Sequence, residues 1–217
     1  MVKRMPKLKP ETHSARRTVI LNAAEQCFAK SGFHAASVQD ICKAANISSG
    51  SLYIYFSSKE ALIEGICERN RREFAERFSS LAEAPDLLDA LKKMGELYLL
   101  DEPVHKRKLC IEIGAEATRT PAVSEMFRRI DNEVTESFMA LFERQRAAGR
   151  IAPKIEIKKL TAIFKLLGDG LFWRRALEPD FNTQATIDIV IELIGNLMNP
   201  TPSTPPRTNK ESTEALS

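Results

Sequence analysis

Histidine, cysteine and tryptophan are scarce in this 217-residue chain, which holds three, four and one of them. His13, His34 and His105 are scattered, and none neighbours a cysteine. Cys27, Cys42, Cys67 and Cys110 form no CxxC pair. That spacing argues against a zinc site and a disulfide framework, and points to structural thiols in a reducing cytoplasm. Also missing are a GxSxG, an HExxH and a phosphate-cradling glycine loop. The carboxylates alternate with basic residues, as on solvated helix faces. No nucleophile–base constellation is left, so neither catalysis nor a cofactor or metal is expected. A run of 18 apolar residues is absent, which excludes a membrane-spanning helix, and the basic N-terminus lacks the apolar stretch of a secretory signal.

What the chain does have is unevenly spread charge. Residues 1–60 carry nine Lys/Arg against four Asp/Glu, residues 61–80 four of each, and residues 81–217 carry 19 against 21. A basic N-terminal segment on a slightly acidic remainder is the asymmetry of a nucleic-acid-binding head. Pro85, Pro103, Pro121, Pro153 and Pro179 punctuate helical patterns, and β-branched alternation is too sparse for strands. The expected fold is all-α, with helices over about 14–31, 37–45, 48–55, 58–82, 86–100, 103–118, 121–148, 155–177 and 182–199. Residues 1–13 read as a flexible basic arm, and 200–217, rich in Pro, Ser and Thr, as a disordered tail.

The stretch SVQDICKAANISSGSLYIYFSSKE, Ser37–Glu60, is the most informative. Ser37 with Asp40, and Ser57 with Glu60, have capping-box spacing, in which side-chain oxygens satisfy orphan N–H groups at a helix start. Val38, Ile41, Cys42 and Ala45 make one apolar face of a short helix. The turn Asn46-Ile47 leads to Ser48, an N-cap, and to a second short helix opening on Ser49, Gly50 and Ser51. Gly32 ends the preceding helix as a C-cap. Two short helices at an angle, the second starting with small residues, suit insertion into a DNA major groove.

SxGSLYxYFxSKExL at Ser48–Leu62, together with AAEQCFAKSGFHAASVQDI at Ala23–Ile41, resembles the DNA-binding signature of the tetracycline-repressor (TetR) family. The resemblance implies a helix-turn-helix DNA-binding domain at 14–60, a ligand-binding and dimerisation domain at 61–199, and a homodimer on double-stranded DNA. It further implies that Tyr53, Tyr55 and Lys59 grip the DNA backbone while Gln39, Ser49 and Ser51 face bases. Gly50 lets the backbone approach base edges. Ser37 and Ser48 add hydroxyls at helix N-termini, whose dipoles favour phosphate. Arg16 and Arg17 supply charge near the phosphates. The recognition helix departs from common members in lacking Arg and Lys, so an arginine–guanine fork is unavailable there. Ile54 offers thymine-methyl contact in place of a polar one.

In the C-terminal part, Ile187, Ile189, Val190, Ile191, Leu193, Ile194, Leu197 and Met198 spread over roughly 200° of a helix at 100° per residue. That arc is about twice what covering one core needs, so the surplus is expected to face a second subunit. Leu160, Phe164, Leu167, Leu171, Ile187, Val190, Ile191, Ile194 and Met198 are the expected dimer interface, in a four-helix bundle. An effector pocket implied by the family is expected near Tyr98, Met139, Phe142, Phe172 and Trp173, with Glu112 or Glu116 as partner for a cation. Arg174 and Arg175 are expected on the solvent or dimer face. The expected function is a repressor that binds an imperfect palindrome and is released by a small molecule. The alternatives are the same fold controlled by a protein partner or by no ligand, or acting as an activator.

Overall fold

The computed structural model describes residues 10–201, the side chains of residues 10–12, 80 and 82 apart. The described residues form α1 (Pro10–Ala35), α2 (Val38–Ala44), α3 (Ser49–Tyr55), α4 (Lys59–Ala82) and α5 (Leu87–Glu96). α5 runs on into a π-helical turn (Leu97–Asp101), followed by α6 (Val104–Ala117), α7 (Pro121–Ala147), α8 (Ile157–Leu177) and α9 (Thr183–Met198). The fold is all-α, as expected. Two of the expected irregular segments begin differently. α1 starts at Pro10, so residues 10–13 are helical, and residues 1–9 of the expected arm lie outside the described residues. Pro200 pairs with Ile151 and the Thr201 N–H donates to Arg150 O at 3.0 Å, tying down the first two residues of the expected tail. Residues 202–217 lie outside the described residues.

Local chemistry sets the helix starts. The Ser37 hydroxyl accepts from the Asp40 N–H at 3.1 Å, and Ser37 N–H returns to the Asp40 carboxylate at 3.1 Å, closing the expected box. The Ser37 hydroxyl, which donates to the Asp40 carboxylate at 2.6 Å, and then the Ser37 N–H hold the Asp40 carboxyl below its usual pKa. Ser48 accepts from the Ser51 N–H at 3.2 Å. At α4 the expectation is off by one residue: Ser58, not Ser57, has the extended backbone and accepts from the Ala61 N–H at 3.2 Å. Spacing alone cannot choose between adjacent serines. Gly32, at φ 78°, breaks α1 one turn from its end, and Asn46, at φ 51°, makes the turn between α2 and α3. Glycine and asparagine are the residues for which left-handed backbone is least strained.

Two large apolar cores follow, with a smaller cluster of Leu99, Leu171 and Ile187. The first joins Ile20, Ala24 and Phe28 of α1 to Ile41, Leu52, and Leu62, Ile63 and Ile66 of α4, and continues into Leu109 and Ile113 of α6. The first three helices thus share their core with the start of α4 and with α6. Gly65 permits this closeness, because a Cβ there would stand 2.9 Å from Leu21 and Phe56 side-chain atoms. The buried Glu25 pairs with Arg69 of α4, and His34 Nε2 lies 2.9 Å from the buried Glu116 of α6. The second core packs Phe138, Leu141 and Phe142 of α7 against Leu160 of α8 and Ile194 and Met198 of α9.

Candidate nucleic-acid interface and effector cavity

α3 presents its outer face to solvent. Ser49 and Gly50 are exposed, as are Tyr53 at 54 % and Ile54 at 64 %. A Cβ built on Gly50 would meet nothing within 4 Å, so the backbone there is open to an incoming surface. Leu52 and Phe56 point inward and anchor the helix. Gln39 on α2 and Arg16 on α1 are exposed as well. Ser37 and Ser48 spend their oxygens on capping, and the Ser48 and Ser51 hydroxyls lie 2.9 Å apart.

Three expected DNA contacts are already engaged. Lys59 Nζ donates to the main-chain oxygens of Phe33 at 2.7 Å, Ala36 at 3.1 Å and His34 at 3.3 Å, and sits 4.6 Å from the Phe33 ring centroid. An ammonium has three donors, so none is left over for phosphate. Lys59 therefore clamps the end of α1 to the start of α4. The Arg17 guanidinium stacks 4.5 Å over the Phe56 ring. Tyr55 is half-buried against the first core, its ring 4.6 Å from that of His13.

A second site opens in the helices behind. An open cavity of about 300 Å³ is bounded by α4, α5, the π turn, α7, α8 and α9. Phe74, Tyr98, Phe138, Phe164 and Phe172 give it an aromatic wall, and Lys165 and Asp169 are its charged residues. Lys165 is occupied: it pairs with the Asp131 carboxylate and donates to Thr135 Oγ1 at 2.9 Å. Desolvation pushes the Asp169 carboxyl above its usual pKa. π-helical turns inside helices recur at functional sites, and here one supplies Tyr98 and Leu99.

Of the expected effector residues, Tyr98 and Phe172 line the cavity. The other five do not. Phe142 is fully buried, its ring packed on those of Phe138 and Phe164, and Met139 packs against the same core. Glu112 lies against Gly32, and Glu116 is held by His34 and Thr120. Trp173 is half-exposed, because one residue past Phe172 is 100° further round the helix. Phe74, Phe138 and Asp169 were not foreseen. The spacing of Phe74 and Phe78 at i, i+4 was the only signal, and it reads equally as plain core.

The expected dimer residues pack largely within the subunit. Leu160, Leu171, Ile187, Ile194 and Met198 are buried within the subunit, and Phe164, Leu167, Val190 and Ile191 pack half-buried beside them. The apolar side chains that face outward from α8 and α9 are Leu166 at 71 % exposure, Ile189 at 64 %, and Trp173, Leu177 and Leu193. An apolar arc that serves two surfaces does not reveal which half faces which.

A capped α2–turn–α3 unit with a small-residue, solvent-facing second helix defines a helix-turn-helix DNA-binding protein. The sequence profile described as "Bacterial regulatory proteins, tetR family" matches residues 20–66. The chain is 37% identical to the HTH-type transcriptional regulator UidR of Escherichia coli (strain K12) over 139 residues, which is 64% of this chain and 70% of that protein. It is 27% identical over 190 residues to the HTH-type transcriptional repressor Rv1474c of Mycobacterium tuberculosis, covering 87% and 97%. The solved structure of Salmonella enterica GusR superposes with a TM-score of 0.75 at 30% identity, covering 89% of this chain and 99% of that one. The chain belongs to the TetR family of bacterial transcriptional regulators, which are DNA-binding proteins and not enzymes. Among the described residues no helix is long and apolar enough to cross a membrane.

Proposed function

We propose that the protein is a cytoplasmic transcriptional repressor that binds an imperfectly palindromic operator as a homodimer and lets go when a small molecule fills the cavity. The observation that carries this reading is the path of α4. The helix starts at Lys59, capped by Ser58 directly behind the recognition helix, and its Phe74 forms part of the cavity wall. A ligand that displaces Phe74 acts on the same rod that seats Leu62, Ile63 and Ile66 in the head core. Residues 14–60 are then the DNA-binding unit and 61–199 the effector and dimer unit. Tyr53, Ser49, Gly50 and Ile54 meet the groove, with Gln39 and Arg16 beside them.

Leu166, Ile189, Leu193, Trp173 and Leu177 supply the face that a second subunit covers. In the two-fold dimer the recognition helices stand about 34–36 Å apart, one turn of B-DNA. The test is fluorescence anisotropy on DNA upstream of the protein's own coding sequence, with a screen for compounds that release it. Selective binding by a dimer, reversed by a compound that protects the fold against heat, supports the reading. Binding no tighter than to random DNA would end it.

A further inference from the structure

Beside the Tyr98 end of the cavity lie buried hydrogen-bond donors without acceptors, on residues just outside its lining. Arg107 of α6 is buried, at 3 % exposure, yet its Nε meets no acceptor. Its Nη1 donates to the main-chain oxygen of Glu102 at 2.5 Å, just past the π turn, and no carboxylate pairs with it among the described residues. The Arg175 Nε is also buried and unpartnered, while its Nη1 donates to the main-chain oxygen of Pro179 at 3.3 Å, and the Tyr98 hydroxyl is buried with the Arg77 guanidinium 5.1 Å from its ring centroid. Tyr98 lines the cavity, and Arg175 follows the lining residue Leu171 by one turn of α8, on the same face.

The local charge is unbalanced. The Glu102 carboxylate is shared between Arg77 at 3.0 Å and Lys106 at 3.8 Å, and Lys106 also reaches Glu73 at 3.2 Å. Two acids thus face four cations once Arg107 and Arg175 are counted. Desolvation first, and then the nearby Arg175 charge, hold the Arg107 pKa below its usual value. A buried guanidinium with a second positive charge near it is unfavourable unless an anion joins it. A carboxylate has two oxygens that match the guanidinium fork. The rest of the wall is apolar and aromatic. Near Lys165 the charge runs the other way, because Asp131 takes the ammonium and Asp169 is left over. An anionic head group is repelled from that wall and directed to the arginine end.

We propose that the cavity takes an apolar molecule ending in a carboxylate, whose oxygens join Arg107, Arg175 and the Tyr98 hydroxyl. This rests on the reading of the cavity as the effector site. It is tested by isothermal calorimetry on the full chain with three probes that differ only at one end: 6-phenylhexanoate, 6-phenylhexan-1-ol and 6-phenylhexyltrimethylammonium. The acid is expected to bind at least tenfold more tightly than the alcohol, and the cation more weakly than either. Arg175→Met and Tyr98→Phe each narrow the acid-over-alcohol ratio several-fold. Arg107→Met removes a buried charge and risks the fold, so the two milder variants carry the test. Equal affinity for acid and alcohol, preference for the cation, or no binding of any probe would overturn the assignment. Operator binding is measured on the same samples without probe. Selective DNA binding with no preference for the acid removes the carboxylate and leaves the regulator. Absent DNA binding removes the regulator, while calorimetry still decides the carboxylate.

Discussion

Replacing Lys59 with methionine separates the two jobs that one ammonium can do. The substitution keeps an unbranched apolar side chain and deletes the charge that sits 4.6 Å from the Phe33 ring centroid and meets three main-chain oxygens at 2.7, 3.1 and 3.3 Å. A hydrogen bond from a charged donor contributes about 1.5–3 kcal/mol. The three acceptors share a single charge at a half-buried position, so the contributions do not add, and water reaches part of the site. The expected loss is about 2–3 kcal/mol. For a chain of this size each kcal/mol moves Tm by about 2–4 °C, which gives a fall of about 4–12 °C. Thermal unfolding followed by circular dichroism reads this, with DNA affinity measured well below the variant's Tm. A Tm within 1 °C of the parent, together with weaker binding to every DNA sequence, would show that the ammonium serves phosphate and would refute the clamp.

Other substitutions probe the remaining surfaces. Gly50→Ala meets open space and removes a helix glycine, so stability should rise by up to about 1 kcal/mol while DNA affinity falls; unchanged affinity would mean the backbone there does not approach DNA. Leu166→Glu with Ile189→Glu should give monomers by sedimentation velocity with little change in helicity; persistent dimers would place the interface elsewhere. Burial pushes the Cys67 thiol up to about 12, so at pH 8 only about one molecule in 10⁴ carries the thiolate, and disulfide reagents should modify Cys67 no faster than the protein unfolds. If each subunit makes about four phosphate contacts, operator affinity should fall with a log–log salt slope of about −7, and a slope near −2 would contradict that footprint.

The head was legible because its information is local. The Ser37–Asp40 box, the Ser48 cap, Gly32 at the break in α1 and Asn46 in the turn each act within four residues, and the structure shows all of them. Misreadings came where the deciding partner is far along the chain. Lys59 looks like a phosphate ligand until Phe33, His34 and Ala36, more than twenty residues earlier, arrive beside it. Helical periodicity showed that α8 and α9 have too wide an apolar arc, but not that Leu160 and Ile194 point inward while Leu166 and Ile189 point out. The π turn, which brings Tyr98 and Leu99 to the cavity, has no signature in the sequence. Nor does the buried Arg107 Nε, left without an acceptor.

The most direct measurement is hydroxyl-radical footprinting of the dimer on the DNA upstream of its own coding sequence. Two protected half-sites related by a two-fold axis, about one helical turn between centres, are expected, and both should be lost together on Tyr53→Ala. Protection of a single unrepeated half-site, or an identical pattern on random DNA, would contradict a dimer that reads its operator through α3.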